Sequence, residues 1–233
     1  MPSCIDLQIE YNCAISNEGL TNNWGANVGK SLLEMHGGKD PNVLAAAAAA
    51  AGSDARMSGC EMPVVIVSGS GNQGMATSLP VIAYGRSVGA DLSLIKRALI
   101  VANLCTIHQK SSIGELSAFC GATSAGCGAA AGIAYLNGGK AEAVGQTITN
   151  ALGMISGMIC DGAKPSCAAK IAAAVQAGLL GYQMYLSGQR FEGGEGIIAD
   201  CVEGTIENVG RLAAEGMKQT DTEILKIMVG KDK

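Results

Sequence analysis

Aromatic side chains are almost missing from this 233-residue chain, which has two Phe, five Tyr and one Trp. Proteins that hold single strands stack bases on aromatic rings, and so few rings argue against that use. Charge is scarce too: Asp, Glu, Lys and Arg make up 15% of the chain and leave a net charge of −4. With a pI near 5.2 there is no cationic excess to neutralise a phosphate backbone, so nucleic acid is not an expected partner. Low charge does not mean disorder here. Hydrophobic residues reach 48% and mean hydropathy is +0.27, values of a chain that folds. Residues 1–10 carry neither the basic start nor the apolar stretch of a secretion signal, so a cytoplasmic protein is expected.

The small residues fill the gap. There are 33 Gly and 35 Ala, so the core must be built from short side chains packed closely. Residues 62–85, 116–139 and 171–189 contain no charge and are long enough to span a bilayer. They are crowded with Gly, Ser, Thr, Asn and Gln, and no aromatic belt or basic flank marks an interface. They read as buried segments, with no membrane span. The length suits a single domain, expected to cover residues 1–233.

Helical patterns dominate. Residues 4–16 carry apolar positions suited to a helix, and 22–27 read as a polar turn. Asp40-Pro41 is a helix start, with Asp as cap and Pro at the first position. The run Ala45–Ala51 propagates that helix toward Met57. Further helices are expected at 82–88, 94–109, 117–136, 141–159, 166–186, 197–215 and 220–229. One strand candidate, the β-branched run 64–67, stands among them. Helices in succession with short connections predict an all-α domain. Glycines inside helical patterns cost about 1 kcal/mol each against Ala and make sense where helices or an enclosed group approach closely.

Gly69-x-Gly71-x-x-Gly74 follows the 64–67 run, with Asp91 downstream, and mimics a dinucleotide-binding fingerprint. That mechanism needs alternating strands and helices, which the chain lacks, and Pro80 is expected to break the helix the motif requires. No Gly-Lys-Ser/Thr follows, so this is no Walker A loop. Consecutive glycines still expose backbone N–H groups. With Ser68, Ser70, Asn72 and Gln73 they form a concavity suited to a small anion such as a carboxylate.

Nine cysteines remain to be explained. The count is odd and the chain long for a disulfide scaffold, which points to free or metal-bound thiols; buried cysteine as a small hydrophobe is the plainer alternative. Cys120 and Cys127 are seven positions apart, as are Cys160 and Cys167. Zinc pairs sit closer in sequence. On a continuous helix a spacing of seven puts both sulfurs on one face about 10 Å apart, too far for a disulfide. Gly162 and Pro165 break any helix between Cys160 and Cys167, so that pair can fold around a larger object, of which an iron–sulfur cluster is one.

Four segments carry a resemblance: Ser53-Asp-Ala-Arg-Met57, Ser68-Gly-Ser-Gly-Asn-Gln-Gly74, Gly114-Glu-Leu-Ser-Ala-Phe-Cys-Gly121, and Met158-Ile-Cys-Asp-Gly-Ala-Lys-Pro-Ser-Cys-Ala-Ala-Lys170. The chain resembles the iron–sulfur-dependent L-serine dehydratase α-chain superfamily over nearly its whole length, and within it the L-cysteine desulfidase branch. The resemblance implies a [4Fe–4S] cluster held by Cys120, Cys160 and Cys167, with Cys127 left as a packing residue. The other cysteines carry no ligand motif, although Cys60 and Cys105 flank motif segments. It implies a pyridoxal-phosphate-independent lyase that turns L-cysteine into pyruvate, ammonia and sulfide, or L-serine into pyruvate and ammonia. The 68–74 loop, through Ser68, Ser70, Asn72 and Gln73, is expected to hold the substrate carboxylate. Lys110, Glu115, Asp161 and Lys164 are candidates for proton handling or orientation, and His108 for a structural role. The resemblance also implies an N-terminal family region with a Cys-Thr-Glu-Pro motif that has no counterpart here, since Cys60-Glu-Met-Pro63 sits in another context. The chain is therefore expected to match the C-terminal part of the family and to pair with an N-terminal partner chain or with itself. A helical module without a cluster is the competing reading.

Overall fold

Alanine decides where the middle of the molecule lies. Helix α3 (Pro41–Met57) is buried from Ala45 to Ala55 without interruption, as a helix apolar on every face must be. It starts as its sequence dictates: the Asp40 side chain accepts from Asn42 N at 2.8 Å and Pro41 takes the first helical position. The computed structural model describes residues 2–114 and 117–230, which form ten α-helices and no strand. Around α3 pack α1 (Cys4–Thr21), α2 (Val28–His36), α4 (Gly71–Ser87) and α8 (Cys167–Leu186). A second small-residue helix, α6 (Gly121–Leu136), is enclosed by α4, α5 (Leu92–Ile113), α7 (Ala141–Ile155) and α8. Helix α9 (Val202–Arg211) lies on α5 and α7. A π-helical turn, Leu212–Gly216, then leads to α10 (Lys218–Val229), none of whose residues is buried. Among the described residues no helix is long and apolar enough to cross a membrane.

The all-α expectation holds, and the departures from it are local. Helix α4 begins at Gly71 and runs through Pro80, against the expected break there. Pro80 is buried, and packing on every side holds the turn whose hydrogen bond the ring removes. Helix α2 was not expected, because its N-terminus has no cap of its own: Asn27 sits at φ 51° and its side chain makes no capping bond. The cap comes from α3, where the Asp54 carboxylate accepts from Gly29 N at 3.0 Å. The strand candidate 64–67 is extended but has no strand beside it. Instead the buried Asn12 side chain of α1 accepts from Val65 N (2.8 Å) and donates to Val65 O (3.3 Å) and to Ser78 Oγ (2.9 Å).

Asn12 thus ties α1 and α4 to the chain that enters the glycine loop. Replacing it with Ala strips both polar backbone groups of Val65 of their partner. A loss of about 2–4 kcal/mol is expected, read as a lower denaturation midpoint with unchanged slope.

Candidate active site

The glycine loop is a tight turn followed directly by a helix. Val67 and Ser70 exchange backbone hydrogen bonds of 3.2 and 3.1 Å around Ser68 and Gly69, whose φ values are 47° and 79°. Positive φ at both central residues is the two-residue hairpin turn of type I′. Ser68 is one of two described non-glycine residues at positive φ, a conformation that costs of order 1–3 kcal/mol. Ser70 then caps α4 through its hydroxyl, which accepts from Gln73 N at 3.4 Å. Gly74 has a packing role: a Cβ there would sit 2.0 Å from Val65 O.

The cysteines are brought together by two short extended segments. Cys120 N donates to Met158 O (3.0 Å) and Cys160 N to Ala118 O (2.6 Å), so Phe119 faces Ile159 in a single antiparallel bridge. The helices expected to start at 117 and end at 159 are trimmed to make this pairing. It brings Cys120, at the head of α6, beside Cys160. Cys120 is held well above the usual thiol range and Cys160 well below it, with Gly162 N–H and Lys170 further favouring the Cys160 thiolate. Cys167 opens α8, its sulfur 3.6 Å from Gly162 O. Lys170, one turn later, bonds Ile159 O (3.1 Å) and Asp161, and its charge is felt by both Cys120 and Cys167.

Of these three cysteines, Cys160 lines an open cleft of about 880 Å³, while Cys120 and Cys167 are not on its wall. Ser68, Ser70 and Gln73 line one side. Lys110, Ser111 and Gly114, at the end of α5, line another, and Ser117, Gly121 and Cys160 complete the wall. Lys110 is 8% exposed, and burial pushes its ammonium below the usual lysine range against the pull of Cys160 and Cys120. Gln73 packs on Gly121, where a Cβ would meet the amide at 2.5 Å, and its buried Oε1 has no partner.

Of the candidate residues, the structure gathers Ser68, Ser70, Gln73, Lys110 and Cys160 on one cleft, with Cys120 beside Cys160. Asn72 is not on that wall; it accepts from Arg56 at 3.3 Å. Asp161 is engaged by Lys170 and Lys164, the latter at 3.1 Å, and those lysines draw its carboxyl down to about 2. Glu115 lies outside the described residues. His108 pairs with Glu203 of α9 at 2.6 Å on the surface. Cys127 is fully buried in α6, with its thiol pushed up to about 12 by burial, and Cys105 packs against the same secondary core. Lys170, Ser111 and Ser117 were missed. Lys170 falls within a motif segment, so its spacing of three from Cys167 was the available signal. The two serines carry no local signal.

Among the described residues, no three His, Cys, Asp or Glu side chains close on one point, so a mononuclear metal has no complete set of ligands. A cluster makes a different demand. It takes thiolates spread around a larger body, and the donors here are cysteine sulfurs, one of them already favoured as thiolate. That donor chemistry fits a cluster.

The serine dehydratase alpha chain family model matches residues 1–226. UPF0597 proteins are the similar relatives. That of Desulfitobacterium hafniense is 58% identical over 97% of this chain and 52% of its own length. That of Lachnoclostridium phytofermentans is 54% identical over 97% and 54%. UPF0597 protein YhaM of Escherichia coli is 41% identical over 95% and 52%. The chain spans about half the length of the curated relatives it matches. No solved structure matches. With a family model covering all but the last few residues, and with paired cysteines beside a glycine-loop cleft, the chain belongs to the serine dehydratase alpha-chain family.

Proposed function

We propose that this chain is the cluster-binding portion of a [4Fe–4S]-dependent lyase that eliminates sulfide from L-cysteine. The balance is cysteine plus water giving pyruvate, ammonia and hydrogen sulfide. The observation that carries the reading is the pairing of 118–120 with 158–160, which brings Cys120 beside Cys160, the latter on the wall of the cleft that holds the 68–70 turn. Cys120, Cys160 and Cys167 are the residues that would hold the cluster. Bound by three thiolates, it supplies an iron with one open position, a Lewis acid for the β-leaving group.

The chain's own groups do the rest. Ser68 and Ser70 offer hydroxyls at the wall next to the start of α4, and a helix N-terminus favours a carboxylate. Lys110 Nζ, buried at the same cleft, is the base we assign to the α-proton, since burial moves a lysine toward the working range of a base. Lys170 holds the 159–161 segment in place by its bonds to Ile159 O and Asp161. L-Serine, losing water instead of sulfide, is the alternative substrate.

Anaerobic reconstitution with iron and sulfide, followed by pyruvate assays, tests the reading. Pyruvate with stoichiometric sulfide from L-cysteine is expected, from this chain or from the full-length relative of Desulfitobacterium hafniense. Pyruvate from L-serine alone moves the assignment to the dehydratase. Reconstituted protein without iron leaves the helical-module reading standing.

A further inference from the structure

Helix α4 begins at the candidate active site and ends at a second concave site. From Gln73 to Arg86 it advances about 20 Å, and the groove at its last turns shares no lining residue with the cleft. Helices α1, α3 and α4 form this groove, which holds about 340 Å³. That lies within the roughly 300–1,000 Å³ range of small-molecule sites, which are mostly apolar with a few placed polar groups. Leu20, Leu44, Ala48, Leu79, Ile82 and Ala83 supply the apolar wall. Leu79 and Ile82, each 2% exposed, fix its floor.

The serine hydroxyls of the groove are already engaged. Ser16 Oγ donates to Ala48 O at 2.8 Å and Ser87 Oγ to Tyr84 O at 2.7 Å. Arg86 is not matched in this way. Its Nη1 donates to Cys13 Sγ at 3.5 Å, and among the described residues no carboxylate lies within ion-pair distance of it. Burial pushes the Cys13 thiol up, so the thiol stays neutral and leaves the guanidinium charge uncompensated. Asn17, one turn beyond Cys13 on α1, adds an amide to the lining. A guanidinium fork takes a carboxylate, and an apolar trough beside it takes the tail of the same molecule.

We infer that the groove between α1, α3 and α4 binds a small-molecule carboxylate with an apolar tail, its head on Arg86 and its tail along Leu79 and Ile82. The site is separate from the cleft, and its ligand takes no part in the elimination.

Octanoate is the probe, titrated calorimetrically into the full chain, and one site per chain is expected. Octylamine has the same tail with the opposite charge, and acetate the same head with no tail; each is expected to bind at least tenfold more weakly. Arg86→Gln is expected to lower octanoate affinity by roughly tenfold or more, the scale of a hydrogen bond to a charged group. Ala83→Leu fills the trough and is expected to remove binding. Octanoate is also expected to slow alkylation of Cys13 by iodoacetamide several-fold, read peptide by peptide, while the exposed Cys4 and Cys201 react as before. No octanoate binding, binding that either variant leaves intact, or an unchanged Cys13 rate overturns the inference. Octylamine binding as tightly as octanoate overturns it too, by showing apolar adsorption without the charged head. If a variant does not fold, Cys13 protection and the probe comparison on the unaltered chain decide. None of these readings needs iron, so failure of the cluster leaves them standing, and their failure leaves the cluster standing.

Discussion

Cys160→Ser is expected to leave the chain folded and to strip it of iron. Unaltered protein reconstituted without oxygen should hold about four irons per chain and absorb as a brown [4Fe–4S] protein. The serine variant should hold almost none. The reason lies in the pairing of 118–120 with 158–160. Backbone hydrogen bonds fix Cys120 and Cys160, so the site loses a thiolate while its frame stays in place. Cys160 is half-buried at the cleft wall, so stability should change by no more than about 0.5–1 kcal/mol.

Cys127→Ser is the matched control. That thiol is fully buried among apolar neighbours of α6, so a hydroxyl there should cost about 1–3 kcal/mol and leave iron content unchanged. Full iron in the Cys160 variant would remove the cluster reading. Loss of iron from a folded Cys127 variant would reassign the ligands.

That contrast between two cysteines shows what the sequence could and could not disclose. Helices α3 and α6 were legible because alanine and glycine runs have one solution, burial on every face, and α8 because its small residues recur at helical spacing, although Ala169, Ala173, Gln176 and Leu180 stay exposed. The family segments named Cys120, Cys160 and Cys167 and set Cys127 aside. The contact that joins two of them was not legible. It depends on 118–120 and 158–160, which flank two helices, pairing with each other across about forty positions of sequence, and nothing in either segment alone announces a partner. Helix α2 was hidden for a similar reason, since its cap is Asp54 of another helix. Asn72 read as a loop donor, but Arg56 claims it. Local chemistry names the groups, and tertiary contacts decide which of them meet.

Gly178→Ala should destabilise the protein strongly, although alanine is the better helix former. Propensity alone favours the substitution by about 1 kcal/mol. Gly178 of α8, however, faces Gly126 of α6: a Cβ at 178 would lie 2.6 Å from Gly126 O and 2.8 Å from Ala130 Cβ. The reverse contact is as tight, with a Cβ at 126 lying 2.5 Å from both Ala174 C and Ala174 O. Backbone cannot swing aside as a side chain can, so the helices must part, an overpacking cost of about 1–3 kcal/mol or more beyond the propensity gain. Gly145→Ala in α7 separates the two effects. There the added methyl meets Val202 at 3.4 Å, an ordinary contact, and a gain of about 0.5–1 kcal/mol is expected. Thermal unfolding should move by roughly 2–4 °C per kcal/mol in a chain of this size, downward for Gly178→Ala and upward for Gly145→Ala. Equal shifts in one direction would show that helix propensity, not close approach, governs these glycines. The Gly126–Gly178 contact also sets the spacing between α6 and α8, which Cys120 caps and Cys167 opens respectively. Gly178→Ala should therefore lower iron content after reconstitution even at temperatures where the variant is folded, while Gly145→Ala should leave it unchanged.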